Sequence, residues 1–309
     1  MFVPSLKSAP GFIPGVQRLL RYFLPRKEVA QKPPSPRGKP GGGVMNPMEP
    51  HLNSYAPMLS ACRHLFALTV RRQLFSRQTL ACLALTVLMA LIVLAWSRQS
   101  DPTSKKLAEH VLVPMFIVFL IPIFAICYGA SGIGGEREDQ TLIYLLIAPI
   151  PRPLAYFTKA CAGLVLVAAW TTVTLFLLCR LAGAPGHDLF WMFLPAALLG
   201  GLAYASLFLL LGAVFRHGTI ISLVYWFFLE VLFGNLPGIV KRVSVAFYVR
   251  CMVYDAGEEL NLGPATRVAR EMFLPVSGAT AWTALCAIIV TLLVVGVVSF
   301  EHREYRDAS

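Results

Sequence analysis

Charge is scarce in this sequence. Only 14% of its 309 residues are Asp, Glu, Lys or Arg, while 57% are hydrophobic and the mean hydropathy is +0.66. Soluble domains carry nearer a quarter charged residues, so the composition excludes an ordinary water-soluble globule and points to an integral membrane protein. Equally missing are the motifs by which a chain performs its own chemistry. There is no G-x-x-x-x-G-K-[ST], hence no P-loop to cradle ATP phosphates. Neither H-E-x-x-H nor C-x-x-C occurs, which removes the common zinc signatures. No Ser-His-Asp set and no pair of intramembrane aspartates stands out, so no catalytic residue and no metal ligand is assigned. Of the seven cysteines, Cys82, Cys127, Cys161, Cys179 and Cys286 fall in apolar segments, where thiols act as small hydrophobes and not as a disulfide framework.

The charge that is present is unevenly placed. Residues 1–78 hold twelve Lys/Arg against two acids, ten of the eleven net positive charges. A basic approach to a first span favours a cytoplasmic N-terminus. Residues 1–56 are rich in Pro and Gly, peaking at Lys32–Gly43, and cannot build a packed core. They read as a disordered basic tail facing lipid; nucleic acid is not expected as a partner, because no compact fold or aromatic platform accompanies the charge. Residues 57–77 place Leu59, Cys62, Phe66, Val70 and Leu74 near helical spacing among Arg63, Arg71, Arg72 and Arg77. That is an amphipathic helix lying at the interface, its basic side toward anionic headgroups.

Six apolar stretches follow, near 79–96, 111–129, 160–181, 189–215, 218–240 and 280–300, each close to the ~20 residues that cross a bilayer. Pro114 and Pro122 kink the second. Gly234-Asn235-Leu236-Pro237-Gly238 breaks the fifth, and residues 241–279 form a long loop on the outer side. An even number of spans puts both termini on one face, which the basic N-terminal region assigns to the cytoplasm. Glu230 is the one acid deep inside a span, on the order of 16 Å from its inner end. Two readings stand: an ionisable group with a function, or a carboxylate left near water at the outer mouth by a broken fifth span. Glu258-Glu259 reads as a solvated face, since no histidine follows at ligand spacing.

Between the second and third spans lies Gly135-Glu136-Arg137-Glu138-Asp139-Gln140-Thr141-Leu142. Such a run of charges cannot enter hydrocarbon. Thr141, Leu142, Leu145 and Leu146 then give an apolar stripe, so 136–148 reads as a short amphipathic helix with acids in its first turn, where the dipole favours them. Pro149, Pro151 and Pro153 end it. The alternative is a solvated loop.

The segment Gly135-Glu136-Arg137-Glu138-x-x-Thr141-Leu142-x-x-Leu145-Leu146-x-Ala148-Pro149-x-x-Arg152, with Lys159 opening the third span, resembles the membrane subunits of ATP-binding-cassette (ABC) exporters of the type-2 permease family. That family reads G-E-R-E-x-G-T-L-E-x-L-L-x-[ST]-P-x-[ST]-R here. The resemblance covers residues 57–307 and implies an all-α integral membrane fold of six transmembrane helices, with an interfacial helix before the first. It also implies a cytoplasmic coupling helix between the second and third. Glu136, Arg137, Glu138, Thr141, Leu142, Leu145, Leu146, Pro149 and Arg152 would then dock on a separate ATPase subunit that holds ATP and Mg, this chain binding no cofactor. Two ATPase copies, a second copy of this chain and membrane lipid are the implied partners, in the plasma (inner) membrane. The alternative is a mechanical subunit that drives a periplasmic protein through 241–279 without moving a solute. Asp139-Gln140 departs from a pair that is often basic-then-glycine, and Pro151 and Pro153 stiffen the turn that follows.

Overall fold

A computed structural model describes residues 55–98, 103–138, 151–232, 242–260, 262–263 and 276–302. For residues 55–59, 136–138, 152, 231 and 232 it describes the backbone only. All regular elements among the described residues are helical. Helix α1 is Tyr55–Leu74 and α2 is Arg77–Ser97. A continuous helical stretch, α3, runs from Ser104 to Glu138, and α4 covers Arg152–Leu181. Helix α5 is Ala184–Val214 and α6 spans 218–232. Helix α7 is Val245–Ala256, followed by a single turn at Glu258–Leu260, and α8 is Gly278–His302.

Five of these helices, α2, α3, α4, α5 and α8, are long and apolar enough to cross a membrane. They correspond to the expected first, second, third, fourth and sixth spans, each longer than its apolar run and α3 longest beyond it, by seven residues before and nine after. The expected fifth span, 218–240, is described as a helix only to Leu232, shorter than a bilayer crossing; residues 233–241 lie outside the described residues. The chain alternates direction, so Glu138, Arg152, Val214, Gly218 and His302 share one end of the bundle, here the proximal end. Ser97, Leu181, Ala184 and Gly278 share the distal end.

Hydrocarbon gives apolar helices no reason to leave lipid for one another, so their association depends on close packing and on buried polar contacts. Helix α5 is the hub of the close packing. A Cβ on Gly212 would lie 2.5 Å from the Ala130 carbonyl oxygen, and one on Gly129 would lie 2.8 Å from that of Ala205. Helices α3 and α5 thus touch backbone to backbone. Prolines supply one polar tie. Pro122 has no N–H for the carbonyl four residues back, that of Val118, which instead accepts the Trp226 indole N–H of α6 at 3.1 Å. The register around Pro114 and again at Ile126–Ala130 is π-helical, a wider winding that often marks functional segments.

Helix α1 matches its expected position, but its buried stripe is Ala61, Thr69 and Gln73. The apolar residues Cys62, Phe66 and Val70 are only half-buried, and Leu74 is exposed. Arg180, at the end of α4, is exposed with its guanidinium 5.4 Å from the Phe176 ring centre, as an interfacial arginine should be.

Gly212→Val forces two branches against backbone that cannot retreat, an overpacking cost of roughly 1–3 kcal/mol. The solubilised variant is expected to melt several degrees below wild type in a detergent thermal-shift assay. An unchanged melting temperature would show that α3 and α5 do not meet there.

Candidate functional site

Two places were singled out by sequence: the charged segment after α3, and Glu230. The structure carries them very differently.

Glu136, Arg137 and Glu138 are helical, but they do not open a helix. Their helical turn belongs to Ser131–Glu138, which continues directly from the second span. The acids therefore do not occupy a first turn, and the expected dipole argument fails for them. The reason lies in packing. Gly132, Gly134 and Gly135 are poor helix formers on their own, yet Gly134 lies against Gly212, where a Cβ would come within 3.5 Å of the Gly212 Cα. Close contact with α5 holds the glycine-rich turn helical. Thr141, Leu142, Leu145, Leu146 and Pro149 lie outside the described residues, and Arg152 is the first residue of α4.

Both ends of that segment are rooted in one small core. Ile133 of α3, Tyr156 and Ala160 of α4, Leu209 and Ala213 of α5 and Phe300 of α8 are all buried together. The rings of Tyr156 and Phe300 stand 5.6 Å apart. Lys159, on the same turn of α4, is fully buried. The helices on either side of the segment between Glu138 and Arg152 are thereby packed with α5 and α8 in one cluster.

Glu230 is fully buried. Its carboxylate accepts hydrogen bonds from the Val245 N–H at 2.9 Å, the Ala246 N–H at 3.1 Å and the Ser244 hydroxyl at 2.5 Å. Ser244 in turn accepts from the Phe247 N–H at 3.4 Å, the arrangement of a helix N-cap. Glu230 thus sits on the N-terminus of α7, where backbone donors and the helix dipole both favour an anion. Tyr204 of α5, also fully buried, lies in the field of the carboxylate, as does Tyr225 of α6. Arg250 of α7 brings positive charge near Tyr204. The carboxylate is therefore enclosed by protein and not held near water at an outer mouth. Burying an unpaired carboxylate would cost several kcal/mol; three donors offset that cost here.

Helix α7 corrects the reading of 241–279 as an outer loop. Val245, Ala246, Phe247, Val249, Cys251, Met252 and Val253 are buried. Val249 presses on Gly200 in the middle of α5, its Cγ2 lying 2.6 Å from where a Cβ would be. Asp255 reaches Gly278 at the distal end. The helix therefore descends from the distal end to mid-depth of the bundle. The three-residue turn at Glu258–Leu260 exposes Glu258 and Glu259, as expected. Residues 264–275, including Arg267, Arg270 and Glu271, lie outside the described residues.

Sequence reasoning missed Ser244, Gln73 and Tyr128. Ser244 before Val-Ala-Phe is an N-cap signature that was available. Gln73 donates from Nε2 to the Tyr128 carbonyl at 3.2 Å, and the Tyr128 hydroxyl donates to Thr79 Oγ1 at 3.1 Å. These bonds fasten α1 and the start of α2 to the π-helical part of α3, and no local pattern announces them. Among the described residues no group of three or more His, Cys, Asp or Glu could hold a metal ion.

Comparison with protein families gives a match for residues 65–305, to the family described as ABC-2 family transporter protein. No curated protein matches the chain.

Glu230→Ala leaves the Ser244 hydroxyl and two backbone N–H groups buried without their acceptor, at about 1–3 kcal/mol for each orphaned group. Its melting temperature is expected to fall well below that of Glu230→Gln, which keeps one carbonyl oxygen at the site. An alanine variant as stable as wild type would contradict the assigned bonds.

Proposed function

The chain belongs to the ABC-2 family of transporter proteins, as a membrane permease subunit, and from that premise we propose that it is the transmembrane half of an ATP-driven exporter. Two copies assemble with two separate ATPase subunits. Those subunits hold ATP and Mg, and the segment from Glu136 to Pro149 docks on them. The observation that carries this reading is the proximal core. Ile133 precedes the charged segment, Tyr156 follows it, and both are packed with α5 and α8 in one cluster. A push on the segment is passed to its two ends, Glu138 and Arg152, which are helical. It arrives at four helices as a rigid-body displacement, the usual currency of such transitions.

Within this proposal the charges of Glu136, Arg137 and Glu138 supply specificity. The stripe Thr141, Leu142, Leu145 and Leu146 supplies the apolar contact with the ATPase, and Pro149 and Arg152 fix the return into α4. The proximal end faces the cytoplasm of the inner membrane, with both termini on that side. The dimer follows from the same reasoning: the sequence shows no internal repeat that would supply both walls of a pathway. Glu230 is a positioning residue in this account. It binds α7 to the end of α6, so a shift of α6 carries the half-depth helix with it.

The mechanical alternative, in which a periplasmic partner is driven and no solute passes, drew on a solvated 241–279 loop. The burial of α7 in the bundle favours the exporter reading instead.

The test is a charge reversal. Glu136→Lys combined with Glu138→Lys is expected to abolish co-purification with the ATPase subunit while the melting temperature of the permease stays that of wild type. Undiminished co-purification of the double variant would remove the docking assignment.

A further inference from the structure

Helix α1 has a buried side, a half-buried apolar side and an exposed basic side. Ala61, Thr69 and Gln73 are buried toward α3 and α4. Cys62, Phe66 and Val70 form a half-buried apolar side. Next to it, on the exposed side, are Arg63, His64 and Arg71. At the corner into α2 the pattern continues with exposed Arg77 and with Leu74, Phe75 and Leu80 at 41%, 84% and 67% exposure. A phenylalanine so fully exposed, flanked by guanidiniums within a few residues, does not suit water. It suits the boundary between acyl chains and phosphate headgroups, where the ring enters hydrocarbon and the arginines reach outward.

We propose that α1 and the α1–α2 corner bind the headgroup phosphates of anionic phospholipids through Arg63, Arg71 and Arg77, and that the second span reads this contact through Gln73. The charge balance is right for that partner, since ten of the chain's eleven net positive charges precede residue 79. The route inward is short. Gln73, two residues after Arg71 and on the opposite, buried side, donates to the Tyr128 carbonyl inside the π-helical segment Ile126–Ala130. A Cβ on Gly132 would stand 3.2 Å from the same amide nitrogen, so the side chain fills the space over this part of α3. The Tyr128 hydroxyl holds Thr79 at the start of α2, closing the link on both sides of the corner. Moving α1 on the lipid surface therefore moves the part of α3 that leads, one helical turn later, into the charged segment. The lipid contact itself rests only on the chain being a membrane protein; its consequence for transport rests on the function proposed above.

The experiment uses the purified full chain in nanodiscs of phosphatidylcholine alone or mixed with phosphatidylglycerol, read by hydrogen–deuterium exchange. Anionic lipid is expected to slow exchange across residues 60–74 by about tenfold or more, given the attraction of each basic residue to an acidic surface, and to slow it at 126–132 as well. High salt should reverse both effects in the wild-type protein, since screening shortens their range. Arg63→Gln, Arg71→Gln and Arg77→Gln combined should exchange alike in both lipids. Gln73→Leu should keep the lipid effect on α1 and lose it at 126–132. Equal exchange of wild type in the two lipids, or protection insensitive to salt, overturns the lipid site. So does protection of α1 by added ATPase subunit in phosphatidylcholine alone, which assigns this face to a protein. Protection at 126–132 that survives Gln73→Leu overturns the relay.

Discussion

Within a bilayer an apolar side chain gains nothing by exchanging lipid for protein, so this fold depends on how closely its backbones approach. Helix α5 meets α3 at Gly129, Ala130, Ala205 and Gly212, and receives α7 at Gly200. The α3 contacts replace side-chain filling with direct backbone packing, Gly200 makes room for the Val249 side chain, and together they fix the hub against which the other helices are placed. The first and last spans, α2 and α8, show large exposed apolar faces such as Leu80, Leu91, Val290 and Val294. Those faces fit lipid, while the interior holds the glycines and the buried polar groups.

The polar groups obey the same constraint. Where a helix is irregular or ends inside the bundle, its unsatisfied backbone finds a specific partner, as it must in hydrocarbon. Val118, deprived of a donor by Pro122, accepts the Trp226 indole. Tyr128, in a π-helical turn, accepts Gln73. The N-terminus of α7, which begins at mid-depth, is met by Glu230 and Ser244. Each tie joins a different pair of elements, and all three involve either α3 or α6. Both helices reach the proximal end of the bundle.

Much of this was legible in the residues. The spans followed from long apolar runs, and α1 followed from helical spacing of apolar and basic residues. The break expected at Gly234–Gly238 lies outside the described residues. What failed did so for physical reasons. The most deeply buried positions of α1 are Ala61, Thr69 and Gln73, while Cys62, Phe66 and Val70 are only partly covered, because in a membrane protein apolar side chains need not be fully buried and polar groups turn inward. The helix through Glu136 continues from the second span, although three glycines argue against it, because contact with Gly212 overrides propensity. Glu230 was recognisable as unusual, but its partners lie fourteen to sixteen residues away in a stretch that composition alone presents as a loop. A non-local cap leaves no periodic signal.

The proposed function turns on whether the segment between α3 and α4 meets an ATPase on the cytoplasmic side. The most direct measurement places one cysteine there, Leu142→Cys in a chain freed of its own seven cysteines, co-expressed with the ATPase subunit in inside-out membrane vesicles. A short thiol-reactive photo-crosslinker is expected to join the permease to the ATPase, and an impermeant thiol reagent added to the vesicles should block that product. A cysteine that reacts only from the opposite face of the membrane, or that never captures the ATPase while the complex still hydrolyses ATP, would contradict the account.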